Sequence, residues 1–167
     1  MQTPDSMNIT MKEVMDKKLA GAMKEIHKII DGTYRGCVVA TNPGLGCEFT
    51  IVNQLKENNV DYHHFSINSF SPVEFYKILG EFNDKNKILL LTAINDDTFN
   101  VIHYKIINCI LNNREKKDNF IVLKEPSIPV EKSALYYKGK IIIVTQEKPS
   151  YLDDKITNKD AIIDMRL

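Results

Sequence analysis

Apolar residues recur at three- and four-residue steps near the start of the chain: Met11, Met15, Leu19, Ala22, Ile26 and Ile29. That spacing lays one stripe along an amphipathic helix. Thr10 followed by Glu13 reads as a capping box at its start, and Asp31-Gly32 stops it. The stripe is expected to pack on the chain's own core, with a partner-helix seam as the alternative.

The pattern then alternates between short apolar runs and helical stretches. Gly36-Cys37-Val38-Val39-Ala40-Thr41 suits a buried strand, and Asn42-Pro43-Gly44-Leu45-Gly46 is a glycine loop. Glu48 to Asn58 predicts a helix with Phe49, Val52 and Leu55 facing inward. Tyr62 to Ile67 predicts a second strand. Ser71-Pro72-Val73-Glu74 is a capping box with proline at the first helical position. The helix it opens carries Val73, Phe75, Ile78 and Leu79 and should end near Asn83. Lys87 to Thr92 is a continuous apolar run, the mark of a strand buried on both faces of a parallel sheet. The Asn95-Asp96-Asp97-Thr98 cluster is expected to cap a helix reaching about Asn113. Ile121-Val122-Leu123 and Ala134 to Tyr137 suggest a small hairpin around Pro126 and Pro129. Lys140 to Thr145 predicts another buried strand, Tyr151 to Ile156 a turn or short helix, and Ala161 to Met165 a last strand. Alternation of this kind predicts an α/β domain with a parallel sheet and right-handed crossovers.

Composition narrows the function classes. The 167 residues suit one domain, and 22 basic side chains balance 22 acidic ones. Neither a basic excess nor a basic run marks a nucleic-acid binder. No stretch approaches the ~20 apolar residues of a membrane span. Met1 to Ser6 lacks a signal-peptide pattern. Cys37, Cys47 and Cys109 are expected to be reduced thiols in a cytoplasmic protein. Only three arginines are present, Arg35, Arg114 and Arg166, so few positions offer a phosphate fork.

The strand–loop–helix unit at Val38 to Leu55 is where nucleotide chemistry would sit. A P-loop, G-x-x-x-x-G-K-[ST], wraps phosphates in backbone N–H groups and adds a lysine and a magnesium-binding hydroxyl. Here Thr41 falls at the first glycine, Gly46 at the second, Cys47 at the lysine and Glu48 at the hydroxyl. Asn42, Pro43, Gly44, Leu45, Gly46, Cys47 and Glu48 are thus the candidate nucleotide-binding residues. Cys47 supplies no permanent cation, and Glu48 puts a carboxylate where the anion should dock. At ~4 Å and an effective dielectric of ~20, a like-charge contact costs about 4 kcal/mol before relaxation. Thr50 lies too far along to replace the hydroxyl. An ordinary tight strand-to-helix turn satisfies the same residues.

The order of segments resembles the AAA+ ATPase core and is most similar to the small AAA+ ATPases of tailed bacteriophages. Val-Val-Ala-Thr-Asn-Pro-Gly-Leu-Gly at 38–46 looks like the Walker A strand and loop. The stretch 67–79, Ile-Asn-Ser-Phe-Ser-Pro-Val-Glu-Phe-Tyr-Lys-Ile-Leu, is similar to the segment before the phage proteins' second helix. Ile-Leu-Leu-Leu-Thr-Ala at 88–93 sits where Walker B belongs, and Tyr-Lys-Gly-Lys-Ile-Ile-Ile-Val-Thr-Gln at 137–146 looks like the sensor-1 strand. Leu152-Asp153 and then Ala161-Ile162-Ile163-Asp164 resemble the end of the α/β subdomain. The resemblance implies a three-layer αβα fold with a mostly parallel five-stranded sheet of order 5-1-4-3-2. It makes 36–167 the α/β subdomain and 1–35 an N-terminal helical extension.

The departures from the family pattern concern charge. Thr92 and Ala93 stand where Walker B acids would hold Mg²⁺ and polarise water. Asp96 and Asp97 lie past the strand, where capping suits them better. Gln146 takes the sensor-1 position, Lys159 is nearest the arginine-finger position, and the chain ends at Leu167 before any lid or second sensor. Losing every charge that stabilises phosphoryl transfer removes the electrostatic basis of the reaction. The expectation is therefore an AAA+-like pseudo-ATPase, without cofactor or metal, acting through a protein partner such as an active AAA+ relative or another copy of itself. If phage-encoded, it would act in the host cytoplasm; no membrane or nucleic-acid role is expected. The alternative is a divergent ATP- or ADP-binding NTPase that borrows its missing charges from a partner.

Other candidates are weaker. His63 and His64 are strand neighbours pointing to opposite faces, which argues against zinc. Ser66, Ser69 and Ser71 lack a nucleophile elbow. Cys47 at a helix start would gain nucleophilicity, but Glu48 opposes it.

Overall fold

The computed structural model describes residues 4–42, 46–67, 70–93, 99–146 and 154–166. Helix α1 spans Pro4–Ile30, α2 Cys47–Glu57, α3 Pro72–Glu81 and α4 Val101–Leu111. The strands are β1 Gly36–Ala40, β2 Asp61–Ile67, β3 Lys87–Ala93, β4 Asn119–Val122, β5 Ala134–Tyr137, β6 Lys140–Thr145 and β7 Ile162–Asp164.

Five strands form a parallel sheet in the order β2-β3-β6-β1-β7. As labelled, this differs from the expected 5-1-4-3-2, because β4 and β5 stand apart from the sheet. Numbered within the sheet alone, the strands read 5, 1, 4, 3, 2 from the β7 edge. The strand β1 is held on both sides, with Val38 opposite Ile143 of β6 and Ile162 of β7. β4 and β5 form a separate antiparallel pair that faces Asn119 with Tyr137 and Val122 with Ala134.

The sheet buries both faces, as its continuous apolar runs require. Val38, Leu89, Leu91, Ile141 and Ile143 join a cluster with α3, α4 and the hairpin. Cys37, Val39, Leu90, Ile142 and Val144 face α1 and α2. Ala22, Ile26 and Ile29 of α1 are buried in that second cluster. The α1 stripe therefore packs on the chain's own core over its C-terminal half.

Three local expectations need correction. α1 begins at Pro4, so Thr10 lies inside the helix. Proline costs nothing in a first turn, where its missing N–H has no intrahelical partner. In α2 the inward residues are Cys47, Ile51 and Leu55, while Phe49 is 70% exposed. At about 100° per residue, Phe49 sits roughly 200° round from Cys47, on the opposite side. The cap of α4 is Asn100, whose side chain accepts from Ile102 N and His103 N. The Asn95–Thr98 cluster lies outside the described residues.

At the N-terminal end of the strands, buried charges brace the fold. Arg114 stacks 3.9 Å from the Tyr34 ring centroid and lies 3.6 Å from a Glu25 carboxylate oxygen. The buried Lys140 ammonium donates to the Ile30 carbonyl at 3.0 Å. Among the described residues, no helix is long and apolar enough to cross a membrane.

Candidate functional site

In a parallel α/β sheet, ligands meet the C-terminal strand ends, where helix N-termini point N–H groups at anions. β1 runs straight into that edge. The Thr41 N–H donates to the Thr145 carbonyl at 2.9 Å, extending the β1–β6 ladder by one step. Asn42 follows, half-buried. Pro43, Gly44 and Leu45 lie outside the described residues. Gly46 then takes φ 71° as the N-cap of α2, a left-handed conformation that favours glycine.

Thr50 turns back, its N–H and hydroxyl both donating to the Gly46 carbonyl, at 3.0 and 3.1 Å. Its hydroxyl is thus bound within the helix, as its late position implies. Cys47 is buried against the sheet, beside Ile51. Burial, and then the adjacent Glu48 carboxylate, push its thiol above the ordinary range. A helix N-terminus would lower it, but desolvation wins, and Cys47 is a poor nucleophile at neutral pH.

Glu48 reaches sideways to the sheet. Its carboxylate lies 2.9 Å from His64 Nε2 on β2. That nitrogen is also 3.2 Å from Thr92 Oγ1, which is 3.2 Å from Ser66 Oγ. The parallel register explains the grouping: Ser66 pairs with Thr92, and His64 precedes Ser66 by two residues on the same face. A carboxylate, an imidazole and two hydroxyls thus meet at the ends of β2 and β3, beside the start of α2. Sequence patterns single out each residue but not their meeting, which needs the β2–β3 register.

This chain of groups is not a catalytic triad. In a triad the acid binds one imidazole nitrogen and the nucleophile the other. Here both Glu48 and Thr92 meet Nε2. An Nε2–H that donates to Glu48 leaves no lone pair to accept the Thr92 proton. The hydroxyl instead has the Phe65 carbonyl at 3.4 Å as an acceptor.

The other sequence candidates scatter. Thr92 and Ala93 end β3, both buried, and Asp96 and Asp97 lie outside the described residues. Gln146 is exposed just past β6, and Lys159 is exposed just before β7. Arg35 and Arg114 are used at the opposite end of the strands, and Arg166 lies 3.7 Å from Asp164. His63 turns to the other face and packs on Phe82, ring centroids 4.2 Å apart. Among the described residues, no group of three or more His, Cys, Asp or Glu could hold a metal ion.

No protein-family model matches the chain, and no curated protein matches it.

Proposed function

We propose that this protein is a catalytically inactive, AAA+-like domain that acts by binding protein, with an active relative or a second copy of itself as the partner. One observation carries the reading: the Glu48–His64 pair at the start of α2. The helix offers partial positive charge there, and phosphate would compensate it. Glu48 compensates it instead and is held in place by His64 at 2.9 Å. An incoming polyphosphate would meet a fixed negative charge and no lysine. The end of β3 carries Thr92 and Ala93, which provide no carboxylate for Mg²⁺.

The double variant Cys47→Lys, Glu48→Thr tests this reading. It returns a cation and a hydroxyl to the loop and frees His64. Magnesium-ATP should then bind at least tenfold more tightly than to the wild-type chain, measured by calorimetry. An unchanged, negligible affinity in a folded double variant would mark the segment as an ordinary turn.

A further inference from the structure

The β4–β5 hairpin leaves one strand edge open. Leu123 N donates to the Ser133 carbonyl at 2.9 Å, which sets the alternation of the ladder. Ile121 with Leu135 and Asn119 with Tyr137 are then the hydrogen-bonded pairs. The N–H and C=O groups of Phe120 and Val122 point away from β5. The corresponding edge of β5 is already capped: Asn83 Nδ2 donates to the Tyr136 carbonyl at 2.9 Å, and Lys138 N donates to Asn83 Oδ1. Among the described residues, no strand pairs with the outer edge of β4. An open edge of this kind is a template for another strand.

The outward face of the hairpin is apolar as well. Phe120 is 53% exposed and Tyr136 59%, with ring centroids 5.0 Å apart, and Val122 is 46% exposed beside them.

We infer that β4 pairs antiparallel with β4 of a second copy of this chain, about a two-fold axis through Ile121. The sequence of the strand argues for a second copy over a foreign strand. In that register Phe120 faces Val122 of the other copy, an aromatic against a β-branched residue, twice. Continued just past the strand, the same register sets Asp118 opposite Lys124, again twice. Asp118, Phe120, Val122 and Lys124 alternate onto the same outward face, so each charge pair closes one end of the apolar row. Both partners of every pair come from one segment of the chain, as an isologous interface requires. A shift of two residues would set Asp118 opposite Val122 or Pro126, and would leave the lysine unmatched. The inference stands independently of the nucleotide reading.

Sedimentation velocity on the full chain, from ~1 to ~100 μM, tests it. The wild-type chain should show a concentration-dependent dimer. Asp118→Lys alone sets lysine against lysine at both ends and should weaken the dimer about tenfold or more. Adding Lys124→Asp restores opposite charges and should bring back dimerisation to within about threefold. Val122→Pro removes an outward N–H while sparing the β4–β5 bonds, so the chain should fold yet remain monomeric. A wild-type chain monomeric across the range overturns the inference. So does a dimer indifferent to Asp118→Lys, or a charge-swapped double variant that stays monomeric.

Discussion

Gly36→Ala is expected to cost the fold about 3 kcal/mol, the upper part of the range for overpacking a core. Gly36 opens β1, opposite Ile141 of β6. An added Cβ would stand 2.8 Å from Ile141 Cγ2, 3.0 Å from the Ile141 carbonyl oxygen and 3.1 Å from Leu111 Cδ2. A side chain could rotate aside, but the carbonyl belongs to the sheet's backbone. Moving it would pull on β6, which also pairs with β3. The reason is space, since the chain at Gly36 needs no left-handed conformation. For a domain of this length such a loss should lower the midpoint of thermal unfolding by about 10 °C. A shift below ~2 °C would show that the β1–β6 contact is looser than the structure describes.

His103→Ala is the second large effect, also about 3 kcal/mol, and it carries a pH signature. The ring is buried, packed against Phe70, Phe75 and Phe99 with centroids 4.9, 6.0 and 5.6 Å away. Its Nδ1 accepts from the Asn100 N–H at 2.9 Å, completing the capping box of α4, and its Nε2 lies 2.9 Å from the Phe70 carbonyl. One nitrogen must accept and the other donate, so the folded state needs the neutral imidazole. Burial lowers its pKa below 6.5, opposed by the hydrogen bond to the Phe70 carbonyl. In the unfolded chain the imidazole takes a proton near pH 6.5, while in the folded chain it resists until lower pH. The stability tied to this group is therefore full above pH ~6.5 and falls as the pH drops from there towards the lowered native value. Chemical denaturation between pH ~5 and ~7.5 should show that slope in the wild-type chain and a weaker one in His103→Ala. Equal slopes would mean that the folded protein accepts a protonated His103.

The sequence pattern goes a long way towards this fold, for identifiable reasons. Val38 to Ala40, Ile88 to Leu91 and Ile141 to Val144 are apolar without alternation, and a strand enclosed on both faces demands that. The Ser71-Pro72 cap is visible because its determinants are local: the Ser71 hydroxyl accepts the Glu74 N–H at 3.1 Å. The cap of α4 is harder to see, because His103 does the work usually given to glutamate or glutamine. The orientation of Phe49 depends on where α2 begins, and a shift of one residue turns the helix by about 100°.

The site is legible only as a set of substitutions. That Cys47 and Glu48 fall where a P-loop would carry its lysine and hydroxyl can be read directly. That Glu48 is engaged by His64 cannot, since the partners come from a helix and a strand brought together by tertiary packing. The pairing of His64 with Thr92 spans 28 residues and depends on the β2–β3 register. The destination of the arginines is hidden for the same reason. Arg114 is used against Tyr34 and Glu25, far from α2 along the strand direction.

Isothermal titration of the wild-type chain with ATP, with and without Mg²⁺ at low salt, bears most directly on the claim that Glu48 has taken the place of phosphate. The account predicts no saturable heat up to ~1 mM nucleotide. Magnesium-dependent binding with a low-micromolar Kd would contradict it.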